Sequence, residues 1–452
     1  MNAVFTQPRL KKATIIGFLV FGLYFLFSTS FAQVTNLNDT GAGSLRDAIT
    51  AAAEGGTITF QAGLSGTINL TGGEIEIDEN TLTIDAAGTN IILDGQNTHR
   101  IFNHIGNGTL TINDLTFQNG NAGNDDGGAI RSDRELMVTN STFRNNTSTV
   151  NSFSPLRGGG ALYAQTGISA SNSTFTNNTA VRGGAMISTS GGITITSSTI
   201  SDNMADFYGG GIYNSLSDVT VIDSLILNNQ AGIRGGGVFA LRSEAIITNS
   251  MISGNSAGGF DNSFGEYGGG LYAFFNITIN DSTISGNSAV DSGGGVYGDA
   301  GITLTNSVVF GNSVTTDGGG IYSDDAITLT NSTVSGNSGG SGGGIFSDDA
   351  ATLNNSLVLG NSALTAAQIS AVGVITLNNS AFGFTTGEST NDSFVGFELG
   401  DVFVDPINPA AAPTDAGNYR LVDTSPALNS GDNALIPVGV VADLDGGARI
   451  LA

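Results

Sequence analysis

The chain has 452 residues, of which 67 are glycine and 12% are charged. Glycine is about twice as frequent as in average proteins, and charged residues are about half as frequent. The low charge excludes disorder by charge repulsion, and the absence of a Gly-X-Y period or a heptad excludes collagen and coiled coils. The length suits one extended repeat domain.

Acidic residues outnumber basic ones by 39 to 14, and the formal net charge is −25. The only two lysines are Lys11 and Lys12, at the start of the chain. Such a chain has little with which to neutralise phosphates, so we expect no nucleic-acid partner. The absence of cysteine excludes disulfides, thiolate catalysis and cysteine-ligated zinc.

The first residues have the pattern of a secretory signal peptide. Three basic residues precede an apolar run over residues 13–27, and a small-x-Ala pattern ends at Ala32. We therefore predict removal of residues 1–32 and export to the extracellular space or the bacterial cell surface. The apolar run is short for a membrane-spanning helix, and we expect no transmembrane segment in the mature chain.

Internal repeats dominate the rest of the chain. The clearest four units are ITINDSTISGNSA (277–289), ITLTNSVVFGNSV (302–314), ITLTNSTVSGNSG (327–339) and ATLNNSLVLGNSA (351–363). Each unit alternates apolar and polar residues in short pieces separated by Asn-Ser, Gly-Asn and glycine triplets, which predicts three strands and three turns. Strands that return to the same phase about every 25 residues form one coil of a parallel β-helix. We predict about eleven such coils.

Two asparagine columns recur at the turns and are predicted to be structural ladders. They are Asn306, Asn331, Asn355 and Asn379 in one column, and Asn287, Asn312, Asn337 and Asn361 in the other.

The ends of the rod need covers, because open strand edges promote aggregation. Ser44-Leu45-Arg46-Asp47 is a capping-box pattern and predicts a short helix whose Leu45, Ile49 and Ala52 plug the first coil. The predicted divisions are a signal peptide (1–32), an N-terminal cap with the first coils (33–109), β-helix repeats (110–384) and a C-terminal cap that we expect to be truncated (385–452).

Several motifs resemble known secreted bacterial families. The opening VTNLNDTGAGSLRDAI (34–49) is similar to the N-terminal region of secreted right-handed parallel β-helix repeat proteins. The repeats GGAI (127–130) and FRNN (143–146) resemble the chlamydial polymorphic outer-membrane protein repeat. FVDP (403–406) and SPALNSGD (425–432) resemble the choice-of-anchor Q region. The resemblance implies a right-handed helix and surface display or secretion, and it implies no single activity.

Catalysis is the first alternative, because the resemblance extends to pectin-degrading β-helix enzymes. The hydrolase pattern includes Gly-His-Gly and Arg-x-Lys; Gly-His-Gly is missing here, and the predicted mature chain contains no lysine. A calcium-assisted lyase needs carboxylates beside a basic residue, and Asp206 between Arg182 and Arg234 comes nearest to that arrangement. We predict no catalytic residue and keep a polysaccharide lyase acting on uronate-containing glycans as the alternative.

A column of residues before the glycine triplets suggests a binding site instead. Two insertions, at 147–156 and 258–266, flank short coils and predict a trough. Its expected floor consists of Arg182, Asp206, Phe207, Tyr208 and Arg234. Arginine can bind a carboxylate through two parallel hydrogen bonds, and the rings offer faces for sugars, so the column predicts an acidic-glycan site. The alternative is that the arginines pair with nearby aspartates and serve the fold.

Two further columns follow the glycine triplets. An aromatic column is expected to face outward by strand alternation; it consists of Tyr163, Tyr213, Phe239, Tyr272, Tyr297, Tyr322 and Phe346. An acidic column is a candidate calcium site, with splayed and exposed side chains as the alternative; it consists of Asp299, Asp324, Asp325, Asp348 and Asp349. We expect no required cofactor, with calcium as the one candidate.

Together these observations predict a secreted, all-β, right-handed parallel β-helix with an N-terminal capping helix. The favoured function is a cell-surface adhesin or acidic-glycan binder, with a polysaccharide or a host or neighbouring cell-surface glycan as partner. A structural surface-coat component is the third interpretation.

Overall fold

The structure is a computed structural model that describes residues 31–150, 154, 156–259, 265–383, 399–425, 427 and 433–435. It confirms an all-β parallel β-helix, of about 13 turns instead of eleven. The difference arises because the segment before residue 110 already forms coils of its own. The predicted signal peptide lies outside the described residues apart from Phe31 and Ala32, which begin the first strand.

Three long parallel sheets form the sides of the rod, and a short fourth sheet lines one corner. Sheet A contains Phe31–Val34, Gly56–Phe60, Leu82–Asp85, Leu110–Asn113, Leu136–Thr139, Ile168–Ser171, Ile193–Thr196, Val219–Ile222, Ala245–Thr248, Ile277–Asn280, Ile302–Thr305, Ile327–Thr330, Ala351–Asn354 and Ile375–Asn378. Sheet B contains Ser65–Asn69, Asn90–Asp94, Leu115–Gln118, Thr142–Arg144, Thr174–Thr176, Thr199–Ser201, Leu225–Leu227, Met251–Ser253, Thr283–Ser285, Val308–Phe310, Thr333–Ser335, Leu357–Leu359 and Ala381–Gly383.

Sheet C contains Ile75–Ile77, Phe102–His104, Ile130–Ser132, Leu162–Ala164, Met186–Ser188, Ile212–Asn214, Val238–Ala240, Leu271–Ala273, Val296–Gly298, Ile321–Ser323, Ile345–Ser347 and Ile369–Ala371. Sheet D contains Thr147–Ser148, Thr179–Arg182, Met204–Tyr208, Gln230–Ala231, Ser256–Ala257 and Ser288–Ala289. The remaining described elements are the antiparallel pair Phe403–Asp405 and Asn418–Leu421, helices α1 (Leu45–Thr50) and α2 (Leu399–Val402), and the 3-10 turns Pro409–Ala411 and Asn433–Leu435.

The coils stack in the register that the repeat predicts. Ile302 pairs with Ile277 on the preceding coil and Ile327 on the following one. Along this strand Ile302 and Leu304 are buried while Thr303 is exposed, because successive side chains point to opposite faces. One continuous apolar core therefore runs along the inside of the rod.

Helix α1 covers the first coil as predicted. The Ser44 hydroxyl accepts a hydrogen bond from the Asp47 backbone N–H at 3.2 Å, and the Asp47 carboxylate accepts one from the Gly43 N–H at 2.9 Å. Leu45 and Ile49 are buried in the main core, and Ala52 packs against it. The helix thus satisfies its own first N–H groups while it closes the apolar end.

Both asparagine columns stack along the rod, but only the inner one is a continuous hydrogen-bonded ladder, because the Asn331 side-chain nitrogen of the outer column has no hydrogen-bond partner among the described residues. In the inner ladder, the Asn287 side-chain amide donates to Asn312 Oδ1 at 2.9 Å, and the ladder ends where Asn361 donates to Gln368 Oε1 at 3.0 Å. Its members are Asn146, Asn178, Asn203, Asn229, Asn255, Asn287, Asn312, Asn337 and Asn361. The outer column takes left-handed backbone angles, with φ of 52° at Asn306, a conformation that asparagine tolerates.

The described part of the predicted C-terminal cap lies along the side of the rod. Leu399 and Phe403 pack with Leu359 of sheet B, and the Tyr419 ring lies 5.0 Å from that of Phe310. The domain boundaries themselves stay a prediction. In the residues that the structure describes, no helix is long and apolar enough to cross a membrane.

Candidate binding site

The predicted column before the glycine triplets runs in register from coil to coil. Arg182 pairs with Tyr208, Tyr208 with Arg234, and Arg234 with Tyr267. Ala205 pairs with Ala180, and Tyr208 pairs with Arg182. Two residues separate Ala205 from Tyr208, whereas only Val181 separates their partners. This β-bulge adds a residue where Asp206 and Phe207 lie, and bulges of this kind redirect side chains.

Arg182 lies beneath the surface. Its side chain is 4% exposed, and its guanidinium carbon is 5.3 Å from the Phe207 ring centre and 5.7 Å from that of Tyr208. Nη1 donates to the Ser154 carbonyl at 2.9 Å, which ties the first insertion to the rod. Burial lowers the pKa of Arg182. The expectation that Arg182 forms part of an open trough floor is therefore wrong.

Arg234 is half-buried and repeats the arrangement on the second insertion. Its guanidinium carbon lies 4.8 Å from the Tyr267 ring centre and 5.4 Å from that of Tyr272. Its Nε donates to the Gly265 carbonyl at 3.2 Å. The two arginines thus each hold the backbone of one insertion. Residues 151–153, 155 and 260–264 of these insertions lie outside the described residues.

The aromatic column faces away from the main core, as predicted, but its centre is buried. Tyr213 is 1% exposed and Tyr272 2%, because neighbouring rings stack at centroid distances such as 5.3 Å between Tyr213 and Phe239. Tyr208 covers Phe239 at 5.0 Å. Burial raises the pKa of Tyr213 to about 12. The rings form a second packed layer outside sheet C and are not an open platform.

An open cleft of about 140 Å³ lies against the strand Met204–Tyr208 of sheet D. It is lined by Met204, Ala205, Asp206, Gln230, Gly232, Gly258 and Gly259. Ala205, Ala231 and Ala257 pair in register on three successive coils. The residue after this alanine is Asp206 on the first coil and glycine, at 232 and 258, on the next two. Since glycine has no side chain, the next two coils leave space beside the Asp206 carboxylate.

Of the five predicted binding residues, only Asp206 lines this cleft. Asp206 is exposed, and partial loss of hydration raises its pKa. Met204 and Gln230 were missed by sequence reasoning. The glycines at 232 and 258 in one column were the available signal for an opening here.

An ionic network occupies the earlier coils. Arg157 binds Asp125 at 2.9 Å and Asp126 at 2.7 Å, while Arg100 binds Glu74 at 2.8 Å and Asp125 at 3.0 Å. Arg157 therefore pairs with acidic residues, whereas acid pairing of Arg182 and Arg234 stays a prediction. In the sequence, this network could have been found from the alternation of acidic and basic residues on successive coils.

Carboxylates of the acidic column accept hydrogen bonds from tyrosine hydroxyl groups. Tyr272 donates to Asp299 at 2.7 Å, and Tyr297 donates to Asp324 at 3.3 Å. Burial raises the pKa of both Asp299 and Asp324.

The other acidic candidates lie nearby. Tyr322 donates to Asp348 at 3.0 Å, and Asp348, Asp325 and Asp349 are all exposed on the turns. Across the described ranges, no group of three or more histidine or acidic side chains is arranged to hold a metal ion. The calcium site at this column stays a prediction.

Comparison with known proteins adds one family match and two structural likenesses. Residues 140–165 match the Chlamydia polymorphic membrane protein repeat, and no curated protein matches the chain. The pectate lyase Pel9A is 14% identical over 94% of this chain and 98% of its own, with a TM-score of 0.36. PfbA, a surface adhesin of Streptococcus pneumoniae, is 11% identical over 81% of this chain and 97% of its own, with a TM-score of 0.32. Neither likeness assigns a site.

Proposed function

We propose that this protein is an extracellular or cell-surface β-helix that binds an extended acidic glycan across the coils of sheet D, as an adhesin does. The observation that carries the proposal is the open cleft beside Asp206, which lies two residues from the arginine and aromatic column along the chain. Tyr208 follows Asp206 by two residues, and Arg234 follows Gly232 by two on the next coil.

The chemistry of this surface suits a sugar polymer. Successive coils are about 4.8 Å apart, close to the length of one sugar unit, so a chain lying along the rod meets one coil per sugar. In a protein of net charge −25, a half-exposed Arg234 is a local positive group that attracts an anion. Its planar guanidinium also matches a carboxylate or sulfate in geometry.

The two arginines have different roles in this proposal. Arg234 is the ligand contact, because part of its side chain reaches solvent. Arg182 is a positioning residue, because it is only 4% exposed and bonds the Ser154 carbonyl. Phe207 and Tyr208, both half-buried, supply ring surface next to the cleft.

The test compares two charge-matched variants of the exported chain on immobilised sulfated and uronate glycans. Arg234→Gln should lose retention at least tenfold. Arg144→Gln is the control, since Arg144 is exposed on sheet B and bonds Gln118. Equal retention by Arg234→Gln and the parent would overturn the acidic-glycan contact.

The same samples separate the alternatives. A polysaccharide lyase would release unsaturated uronates, which absorb newly in the ultraviolet. A structural coat component would self-associate and retain no glycan. The binding proposal requires retention of an uncut glycan.

A further inference from the structure

A left-handed residue follows the strands of sheet B, and its type differs between the upstream and downstream coils. In the upstream coils this position is Asn119, Asn145, Asn177, Asp202 and Asn228. In the downstream coils it is Gly254, Gly286, Gly311, Gly336 and Gly360. The backbone is left-handed in both groups, with φ of 53° at Asn228 and 63° at Gly311. Asparagine and aspartate therefore satisfy this turn, and its φ alone does not require glycine.

The C-terminal segment explains four of the five glycines. A Cβ at residue 311 would overlap the Thr414 carbonyl oxygen, and one at residue 336 would overlap the Tyr419 hydroxyl. A Cβ at residue 360 would overlap Leu399, and one at residue 286 would lie 2.9 Å from the Asp415 backbone nitrogen. The Thr414 N–H also donates to the Gly311 carbonyl at 2.8 Å.

The neighbouring outward positions of sheet B carry a second signal. Phe310 is 8% exposed and Leu359 is fully buried, although both point away from the main core. The register-equivalent residues upstream are mostly polar, as at Ser201 and Ser253, and the apolar Leu227 between them is only half-buried. Phe310 contacts Tyr419, and Leu359 packs with Phe403. Apolar residues thus appear on this face where the C-terminal segment covers it.

We infer that Gly286, Gly311, Gly336 and Gly360 form a docking track for an extended polypeptide, and that residues 399–425 of the same chain occupy it as a lateral strap. The glycines let the strap approach the turn backbone, and Phe310 and Leu359 supply the apolar contact. The position of the strap is set by these side-face residues, so the solenoid should keep its fold when the strap is released. This inference is independent of the proposed glycan site.

Gly254 supplies a matched control. It lies in the same column with φ of 67°, but it is exposed, and the atoms nearest to an added Cβ belong to Asn228. Asparagine is the upstream residue at this turn, so Gly→Asn should leave the turn itself intact at either position.

The experiment measures hydrogen exchange and limited proteolysis of the full exported chain. Gly311→Asn should speed exchange and cleavage within residues 399–425 at least tenfold, while Gly254→Asn leaves them unchanged. Sheets A and C should keep their protection in both variants. Protection of the strap in Gly311→Asn, or equal release by both variants, would overturn the inference.

A variant on the strap itself guards against misfolding of the turn. Tyr419→Ala removes the ring that contacts Phe310 and Phe403 and does not alter the solenoid. It should release the strap to a similar extent. A protected strap in Tyr419→Ala, or loss of protection throughout sheet A on strap release, would contradict the proposed track.

Discussion

Arg182 pairs in register with Tyr208 on the next coil, and its guanidinium carbon lies 5.7 Å from the centre of that ring. The same guanidinium bonds the Ser154 carbonyl of the first insertion. One buried cation therefore joins two coils and a loop. Arg234 makes the equivalent contacts with Tyr267 and Gly265, so the two arginines differ in burial: Arg182 is 4% exposed, whereas Arg234 is half-buried.

Arg182→Gln should destabilise the fold. The change removes a buried cation–π contact of about 2 kcal/mol and the bond to Ser154. We expect a lower free energy of unfolding in denaturant titration, whereas Arg234→Gln should cost less because Arg234 is half-exposed. Unchanged unfolding of Arg182→Gln would show that the buried guanidinium does not hold the coils together.

Glycan retention should strengthen as the pH falls from 7 to about 4, a range that ends near the ordinary pKa of aspartate. The pKa of Asp206 is raised by partial loss of hydration, so its carboxylate takes up a proton at a higher pH than an ordinary aspartate and repels an anion less. A sulfated glycan is the probe, since its charge does not titrate in this range. Asp206→Asn should bind strongly at both pH values, and a pH dependence that persists in this variant would assign the effect to another group.

Asp299→Asn should stabilise the protein at pH 7 and have little effect near pH 3. Burial raises the pKa of Asp299 above its ordinary value, so the native state favours the neutral carboxyl. Stability is therefore lost as the pH rises from the unfolded pKa through the native pKa. Thermal melting across this range measures the effect. Asp349→Asn, an exposed change two coils away, is the control, and equal responses of the two variants would contradict the assignment.

Asn312→Ala should cost about 3 kcal/mol of unfolding free energy, because it leaves buried amide groups without partners. Asn312 is fully buried, accepts from Asn287 and donates to Asn337, each at 2.9 Å. Asn331→Gly is the control, since Asn331 is half-buried on the outer column and glycine adopts its φ of 51°. If Asn312→Ala lowered the free energy of unfolding no more than the control does, the inner ladder would not stabilise the fold.

The fold could be predicted because each coil repeats one local rule. Ile302 and Leu304 alternate with Thr303, and this pattern alone places them inside the rod. The capping helix was equally local, since Ser44 and Asp47 are three residues apart. Such features depend on neighbours in the sequence or on identical neighbours one coil away.

The site was less predictable because it depends on departures from the repeat. Whether Arg182 is exposed depends on a bulge at Asp206 and on an insertion that returns to cover it. The outward aromatic column is covered by rings from another column, since Tyr208 stacks on Phe239 and Tyr267 stacks on Tyr297. Strand alternation gives the side of a sheet that a residue faces, and it cannot say what packs onto that side.

The central claim is tested most directly by screening the exported chain on a glycan array, with and without calcium. The account predicts retention of uronate-containing or sulfated glycans that remain uncut, with retention reduced in Arg234→Gln. Absence of retention from every acidic glycan, or an increase in ultraviolet absorbance from unsaturated uronates, would contradict it.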